Sequence, residues 1–222
     1  MKKENVLVFG ASQHCRYTLD IIEQEDKFRI VGILDDKLPI GQDYGGYQIL
    51  GTINDLREVI KTHSVSKGII AIGDNFIRFK ISEKIKNLSD QFAFISAVHP
   101  SVIIGKNVKI GEGTLIMAGV IVNNDTIIGE HCFLATNTSI DHDCILDNYA
   151  SVSAGAAIGG SVRIGYCTAV ALGANVIHGM NIGKHSVVGA GSLVVKNIGD
   201  NLVVYGVPAK EIRKRVAGDK YL

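Results

Sequence analysis

Every sixth residue from Val98 to Val194 is isoleucine, leucine or valine. The series runs Val98, Ile104, Ile110, Ile116, Val122, Ile128, Leu134, Ile140, Leu146, Val152, Ile158, Ile164, Val170, Val176, Ile182, Val188, Val194, without a gap. The next residue is usually small or acidic, as at Gly105, Gly111, Gly129, Asp141, Gly159, Gly165, Gly183 and Gly189. In most repeats the residue four places after the aliphatic is also small, as at Thr114, Cys132, Thr138, Cys144, Ala150, Thr168, Ala174, Ser186 and Ser192. A helix repeats at 3.6 residues and a strand at two, so neither sustains this period. A short repeat of this kind predicts a β-solenoid. Three hexapeptides close one triangular coil, so residues 18 apart stack. The aliphatic residue fills the prism and the small one lets the corner turn.

Before Val98 the pattern changes. Asn5–Phe9 is an apolar run suited to a buried parallel strand. Gly10-Ala11-Ser12 follows, then a helical stretch over Tyr17–Glu25. Arg29–Leu34 reads as a second strand ending at Asp35-Asp36, and 53–62 as a helix with Leu56, Val59 and Ile60 on one face. Lys67–Ile72 is a third strand running into Gly73-Asp74-Asn75. Residues 76–88 are a helix, and Phe92–Val98 a last strand before His99-Pro100. Strand and helix in alternation predict a small parallel α/β sheet. The expected fold is therefore α/β plus all-β, with a Rossmann-like domain over 1–97 and a solenoid with its tail over 98–222.

Ligands of such sheets bind beyond the carboxyl ends of the strands. Those ends carry Gly10, Ala11, Ser12 and His14, Asp35 and Asp36, and Gly73 with Asn75. Glycine after the first strand lets the backbone approach a phosphate at a helix N-terminus, although GASQHC lacks the full GxGxxG. Asp35 stands 25 residues after Gly10, which suits a ribose hydroxyl or a base N–H. The competing reading has Asp35 and Asp36 merely solvating a strand end. Asn75 and Arg78 are candidates for pyrophosphate oxygens, Arg78 alternatively a surface helix charge.

Charge narrows the partners. The 222 residues hold 23 basic and 22 acidic side chains, net +1, so nothing points to nucleic acid or a membrane. Aromatics are only 6 % with no Trp, in keeping with a narrow aliphatic prism. Cys15, Cys132, Cys144 and Cys167 have no CxxC spacing and read as buried thiols in a reducing cytoplasm. The start shows no signal peptide, and no run approaches 18 apolar residues. No three His or carboxylates stand at metal-ligand spacing.

Several segments together resemble one family: GASQH (10–14), LDD (34–36), AIGDNFIR (71–78), IDHDC (140–144), SVSAGAAIGGSVRIG (151–165) and YGVPAK (205–210). In this order they resemble the bacterial nucleotide-sugar N-acetyltransferases of the sialic acid O-acetyltransferase superfamily, which includes enzymes for the UDP-4-amino sugar of bacillosamine synthesis and for GDP-perosamine. The resemblance implies that the solenoid is a left-handed parallel β-helix of hexapeptide repeats. It further implies a homotrimer with acetyl-CoA between adjacent β-helices, a first domain that binds the substrate's nucleotide, and a place in polysaccharide biosynthesis. Two departures stand out. Gln13 and Cys15 replace the later glycines of the family's GASGHG. Ser151 stands where the bacillosamine enzyme has a second histidine, so acetyl positioning would use its hydroxyl or water.

Acetyl transfer to an amine needs a base, an oxyanion donor and a held thioester. His142 matches the family's catalytic histidine, and imidazole titrates near neutrality. Asp143 matches the acidic neighbour that orients it, with Asp141 the competing orienter. Gly160 lies 18 residues on, offering an unhindered backbone N–H to an oxyanion; alternatively Gly159-Gly160 merely forms a tight corner. Ser151, Gly160, Gly173, Ala190 and Gly191 are the expected acetyl-CoA contacts. Lys210, Arg213, Lys214 and Arg215 of the tail either meet its phosphates or belong to a solvated terminal helix. His178, two coils beyond His142, is expected about 10 Å away and peripheral. His131 and His185 are expected at the surface. The reading is a direct N-acetyl transfer from acetyl-CoA to a nucleotide-linked 4-amino-4,6-dideoxy sugar. Its rivals are a sialic-acid-type sugar O-acetyltransferase and a non-catalytic nucleotide-sugar sensor.

Overall fold

A computed structural model describes residues 3–220. The chain forms two compact units, Met1–Pro100 and Ser101–Leu222.

In the first unit, β1 (Glu4–Phe9) is followed by α1 (Gln13–Glu25), β2 (Phe28–Leu34), β3 (Asp43–Tyr44), β4 (Tyr47–Gly51), α2 (Leu56–His63), β5 (Lys67–Ile70), α3 (Asn75–Leu88) and β6 (Ala93–Phe94). The sheet order is β3-β4-β2-β1-β5-β6, all parallel except the β3–β4 hairpin. Central β1 is buried from Val6 to Phe9, as expected for a strand covered on both faces. Leu7, Phe9, Leu34, Leu56, Ile70, Ile85 and Phe92 form one core.

Three local readings change. Helix α1 begins at Gln13, four residues before Tyr17, because the turn Gly10–Ser12 feeds it directly. The stretch Phe92–Val98 yields only the short strands Ala93–Phe94 and Ala97–Val98. The β3–β4 hairpin turns on Gly45-Gly46, both at positive φ, and has too few apolar residues to show as a periodic pattern.

The second unit is the left-handed β-helix. Two-residue strands stack in register every 18 residues on three faces. Face one carries Leu115–Ile116, Phe133–Leu134, Ser151–Val152, Ala169–Val170 and Val187–Val188. Face two carries the ladder from Ile103–Ile104 to Leu193–Val194, and face three that from Lys109–Ile110 to Asn181–Ile182. The aliphatic series is buried from Ile116 onward, whereas Ile104 is 43 % exposed at the first coil. The small residue four places on proves to be more than a space-saver. The Thr114 hydroxyl donates to the Gly129 carbonyl and accepts from the Cys132 N–H; Thr168 does the same with Gly183 and Ser186. Each bridge satisfies a buried backbone group between coils.

The tail is a β-hairpin, not a helix. Leu202–Tyr205 extends face one beside Val187–Val188, and Lys210–Lys214 pairs back on it antiparallel. Tyr205 lies flat over Gly189, where any side chain would overlap its ring.

Candidate active site

Three edges join the faces. Edge one, from face one to face two, carries Ala118-Gly119, Thr136-Asn137, Ala154-Gly155, Leu172-Gly173 and Ala190-Gly191. Edge two carries Asn124-Asp125, His142-Asp143, Gly160-Ser161 and His178-Gly179. Edge three carries Glu130-His131, Asn148-Tyr149, Tyr166-Cys167 and Lys184-His185.

Edge two concentrates reactive groups. Asp143 adopts φ 57°, which turns its carboxylate back onto its neighbour. His142 Nδ1 lies 2.7 Å from Asp143 Oδ2, with both side chains at least half exposed. With Nδ1–H donated to the carboxylate, Nε2 carries the free lone pair. The Asp143 bond, followed by the nearby Asp141 charge, raises the His142 pKa above 6.5. Asp141 does not orient the ring: its Oδ1 accepts from the His142 backbone N–H and from Asn123 Nδ2, and these bonds lower its pKa. From inside the prism, the Thr126 hydroxyl donates to the Asp141 carbonyl and accepts from the Cys144 N–H. One buried hydroxyl thus clamps both flanks of the His142-Asp143 pair.

Gly160 lies one coil beyond. A methyl group built on it would sit 2.7 Å from His142 Nε2 and 3.1 Å from His178 Nδ1. Both rings therefore lean over the bare glycine, and their centroids are 6.1 Å apart rather than about 10 Å. The expected separation used backbone rise alone and ignored this lean. Elsewhere a side chain from the next coil caps the corresponding N–H: Asn124 for Lys106, Asn148 for Glu130, Asp200 for Lys184. Among the described residues, no protein group accepts from the Gly160 N–H.

Of the five expected acetyl-CoA residues, only Gly160 lies on this edge. Gly173, Ala190 and Gly191 lie on edge one, and Ser151 lies on face one with 5 % exposure. Nothing stands within 4 Å of a Cβ built on Gly173 or Gly191, so edge one presents open backbone at these two positions, beside the exposed Leu172.

Edge three corrects two further expectations. His131 is 1 % exposed and stacks on Tyr149, centroids 5.0 Å apart and planes 4° apart. Tyr166 packs edge-on against both Tyr149 and half-buried His185. Burial first, then the Arg215 and Lys184 charges, lower the His185 pKa. In the tail, Lys210, Arg213 and Lys214 are exposed whereas Arg215 is buried.

In the first unit, Gly10, Ala11, Ser12, Asp35, Asp36, Lys37, Leu38, Ile72, Ile77 and Ile81 line a cleft of about 450 Å³ beyond the strand ends. A hollow of similar size, about 460 Å³, lies at the opposite strand ends beside Lys3 and Arg29. The carboxyl-end rule for parallel sheets favours the former. Asp35 accepts from the backbone N–H groups of Ala11, Lys37 and Leu38. Burial opposes its charge, but these three bonds outweigh burial and lower its pKa. Asp36 accepts from Ile53 N–H and faces Lys84. Asn75 and Arg78 turn inward, 1 % and 2 % exposed. Arg78 donates to the Ile72 and Gly73 carbonyls and to Asn75 Oδ1, so these two side chains build the loop instead of reaching for phosphate. His14 is buried beside Gly73, and its Nδ1 lies 2.7 Å from the Tyr17 hydroxyl. Burial, then Arg78, lower its pKa to about 3.

Among the described residues no group of three or more His, Cys, Asp or Glu could hold a metal ion, and no helix is long and apolar enough to cross a membrane.

Comparison with known proteins finds one match within each unit. Residues 5–85 match the PglD N-terminal domain, and residues 107–142 match the six-repeat bacterial transferase hexapeptide. The chain is 34 % identical over 119 residues to the UDP-N-acetylbacillosamine N-acetyltransferase of Bacillus subtilis, a match spanning 52 % of each and thus about half of that relative's length. It is 30 % identical to perosamine N-acetyltransferase of Caulobacter crescentus, solved with CoA and GDP-perosamine, at TM-score 0.89 over 95 % of this chain and 97 % of that one. The acetyltransferase domain of PglB from Neisseria gonorrhoeae is 27 % identical, at TM-score 0.87 over 95 % of this chain and 100 % of that one.

Proposed function

This chain belongs to the family of sugar N-acetyltransferases that join a PglD N-terminal domain to hexapeptide repeats, and we propose that it acetylates the amino group of a nucleotide-linked 4-amino-4,6-dideoxy sugar from acetyl-CoA. The observation that carries this reading is the His142 ring, held by Asp143 and leaning over Gly160, whose N–H has no acceptor among the described residues. The amine attacks the thioester carbonyl directly, without an acyl-enzyme. His142 Nε2 takes the proton while Asp143 holds Nδ1–H and stabilises the imidazolium. The Gly160 N–H steadies the oxyanion, a contribution of about 3 kcal/mol in other enzymes. The nucleotide is assigned to the cleft of the first unit, with Gly10–Ser12 near phosphate and Asp36, less saturated than Asp35, toward the ribose or base.

A homotrimer accompanies the proposal. The open backbone at Gly173 and Gly191 on edge one and the catalytic pair of edge two lie on different edges of one prism, so a CoA meeting both needs a second chain. Ile103 and Ile121, 62 % and 39 % exposed and stacked on face two, supply apolar surface for such contact.

A thiol-release assay with acetyl-CoA and a panel of UDP-, GDP- and dTDP-linked 4-amino sugars tests the reaction. Turnover with one amino sugar and not its hydroxyl analogue is expected. Turnover with free sialic acid alone would replace the acceptor by a hydroxyl; nucleotide binding without CoA binding would leave a sensor.

A further inference from the structure

On the acetyltransferase reading, we infer that His178 is a second catalytic histidine, donating a hydrogen bond to the thioester sulfur as it leaves. His178 occupies the place on its coil where Asn124 or Asn148 caps the preceding coil, but its ring makes no such bond to Gly160. Its Nδ1 instead faces the space above Gly160 from the side opposite His142, 3.1 Å from where a methyl carbon would sit. Three groups thus cluster at one corner: His142 Nε2 from the coil before, His178 Nδ1 from the coil after, and the uncapped Gly160 N–H between them. A tetrahedral intermediate presents three polar substituents, the amine nitrogen, the oxyanion and the sulfur, with a methyl as the fourth. His142 serves the nitrogen and Gly160 the oxygen, which leaves His178 for sulfur. It stands on the later-coil side of Gly160, toward the coils that carry Gly173 and Gly191. The step balances: the C–N bond forms, the C–S bond breaks with its electron pair on sulfur, and the amine proton passes to His142. His178, with Nδ1 protonated, stabilises the developing thiolate.

The experiment compares wild type, His178→Ala and His178→Asn. Nucleotide-sugar turnover is read as kcat and KM, and calorimetry reads binding of CoA and of desulfo-CoA. His178→Ala is expected to lower kcat about tenfold or more, with KM for the sugar nucleotide unchanged and weaker binding of CoA but not of desulfo-CoA. His178→Asn, whose amide reaches the same side, is expected to recover part of both. A kcat within about twofold of wild type, or equal loss of CoA and desulfo-CoA binding, overturns the assignment by reducing His178 to a wall. A wild-type chain that binds neither thiol nor desulfo form overturns the acetyltransferase reading, and this inference with it.

Discussion

Two edges of the same prism carry histidines on the same 18-residue register and treat them oppositely. On edge three, His131 is stacked beneath Tyr149 and buried, and His185 has its protonated form disfavoured. On edge two, His142 is exposed, bound to a carboxylate, and has its protonated form favoured. The turns repeat on both edges, but His131 and His185 hold the second turn position at φ 53°, whereas His142 holds the first and Asp143 takes the positive φ. The residue one coil on differs too: an aromatic ring packs on His131, whereas Gly160 has no side chain to hold off the His142 ring. The turn position aims a side chain; the next coil decides what it meets.

The sharpest way to break this contrast is His142→Ala. It should lower kcat by about a hundredfold or more in thiol release, with circular dichroism and melting unchanged. Activity close to wild type would remove edge two from the chemistry. Tyr149→Ala is the mirror experiment. Loss of a buried ring costs about 3–5 kcal/mol, so denaturant midpoints should fall while kcat per folded chain holds. Asp143→Asn should cost about tenfold in kcat and also move the acid limb of the kcat/KM profile. The base works when neutral, and Asp143 raises its pKa, so removing that charge shifts the limb to lower pH. An unmoved limb would take Asp143 out of contact with the titrating group.

A more gradual effect lies in the first unit. His14 is folded with a pKa of about 3 against 6.5 unfolded, so between these values the unfolded chain binds the extra proton. Stability should therefore decline as pH falls below about 6.5, with a limiting slope of about 1.4 kcal/mol per pH unit. His14→Asn should flatten that segment of a urea-midpoint-versus-pH curve. A slope identical to wild type would mean that other groups govern it.

Much of this was legible before any coordinates. A six-residue period has one structural solution, and fixed stacking turned the interval between His142 and Gly160 into contact. Positions whose surroundings come from the same repeat were readable for that reason. Where surroundings come from elsewhere, reading failed. Arg78 bonds carbonyls five and six residues back, a choice no helix pattern reveals. The lean of His178 depends on a side chain that is missing, and the burial of His131 on a ring that the repeat does not demand. The tail reads as basic whether helix or hairpin; only the shelf at Gly189 that receives Tyr205 decides for the hairpin.

The Thr126 hydroxyl carries a consequence for how this enzyme could be tuned. It holds the Asp141 carbonyl and the Cys144 N–H at once, from within the prism and a full coil upstream. Rate and robustness are therefore inherited through the same atom. Substitutions confined to the exposed edge would never sample it, yet trading that threonine for valine removes both bonds from the loop presenting the imidazole. Variants that drift in speed without touching substrate are to be sought on the inside of the wall.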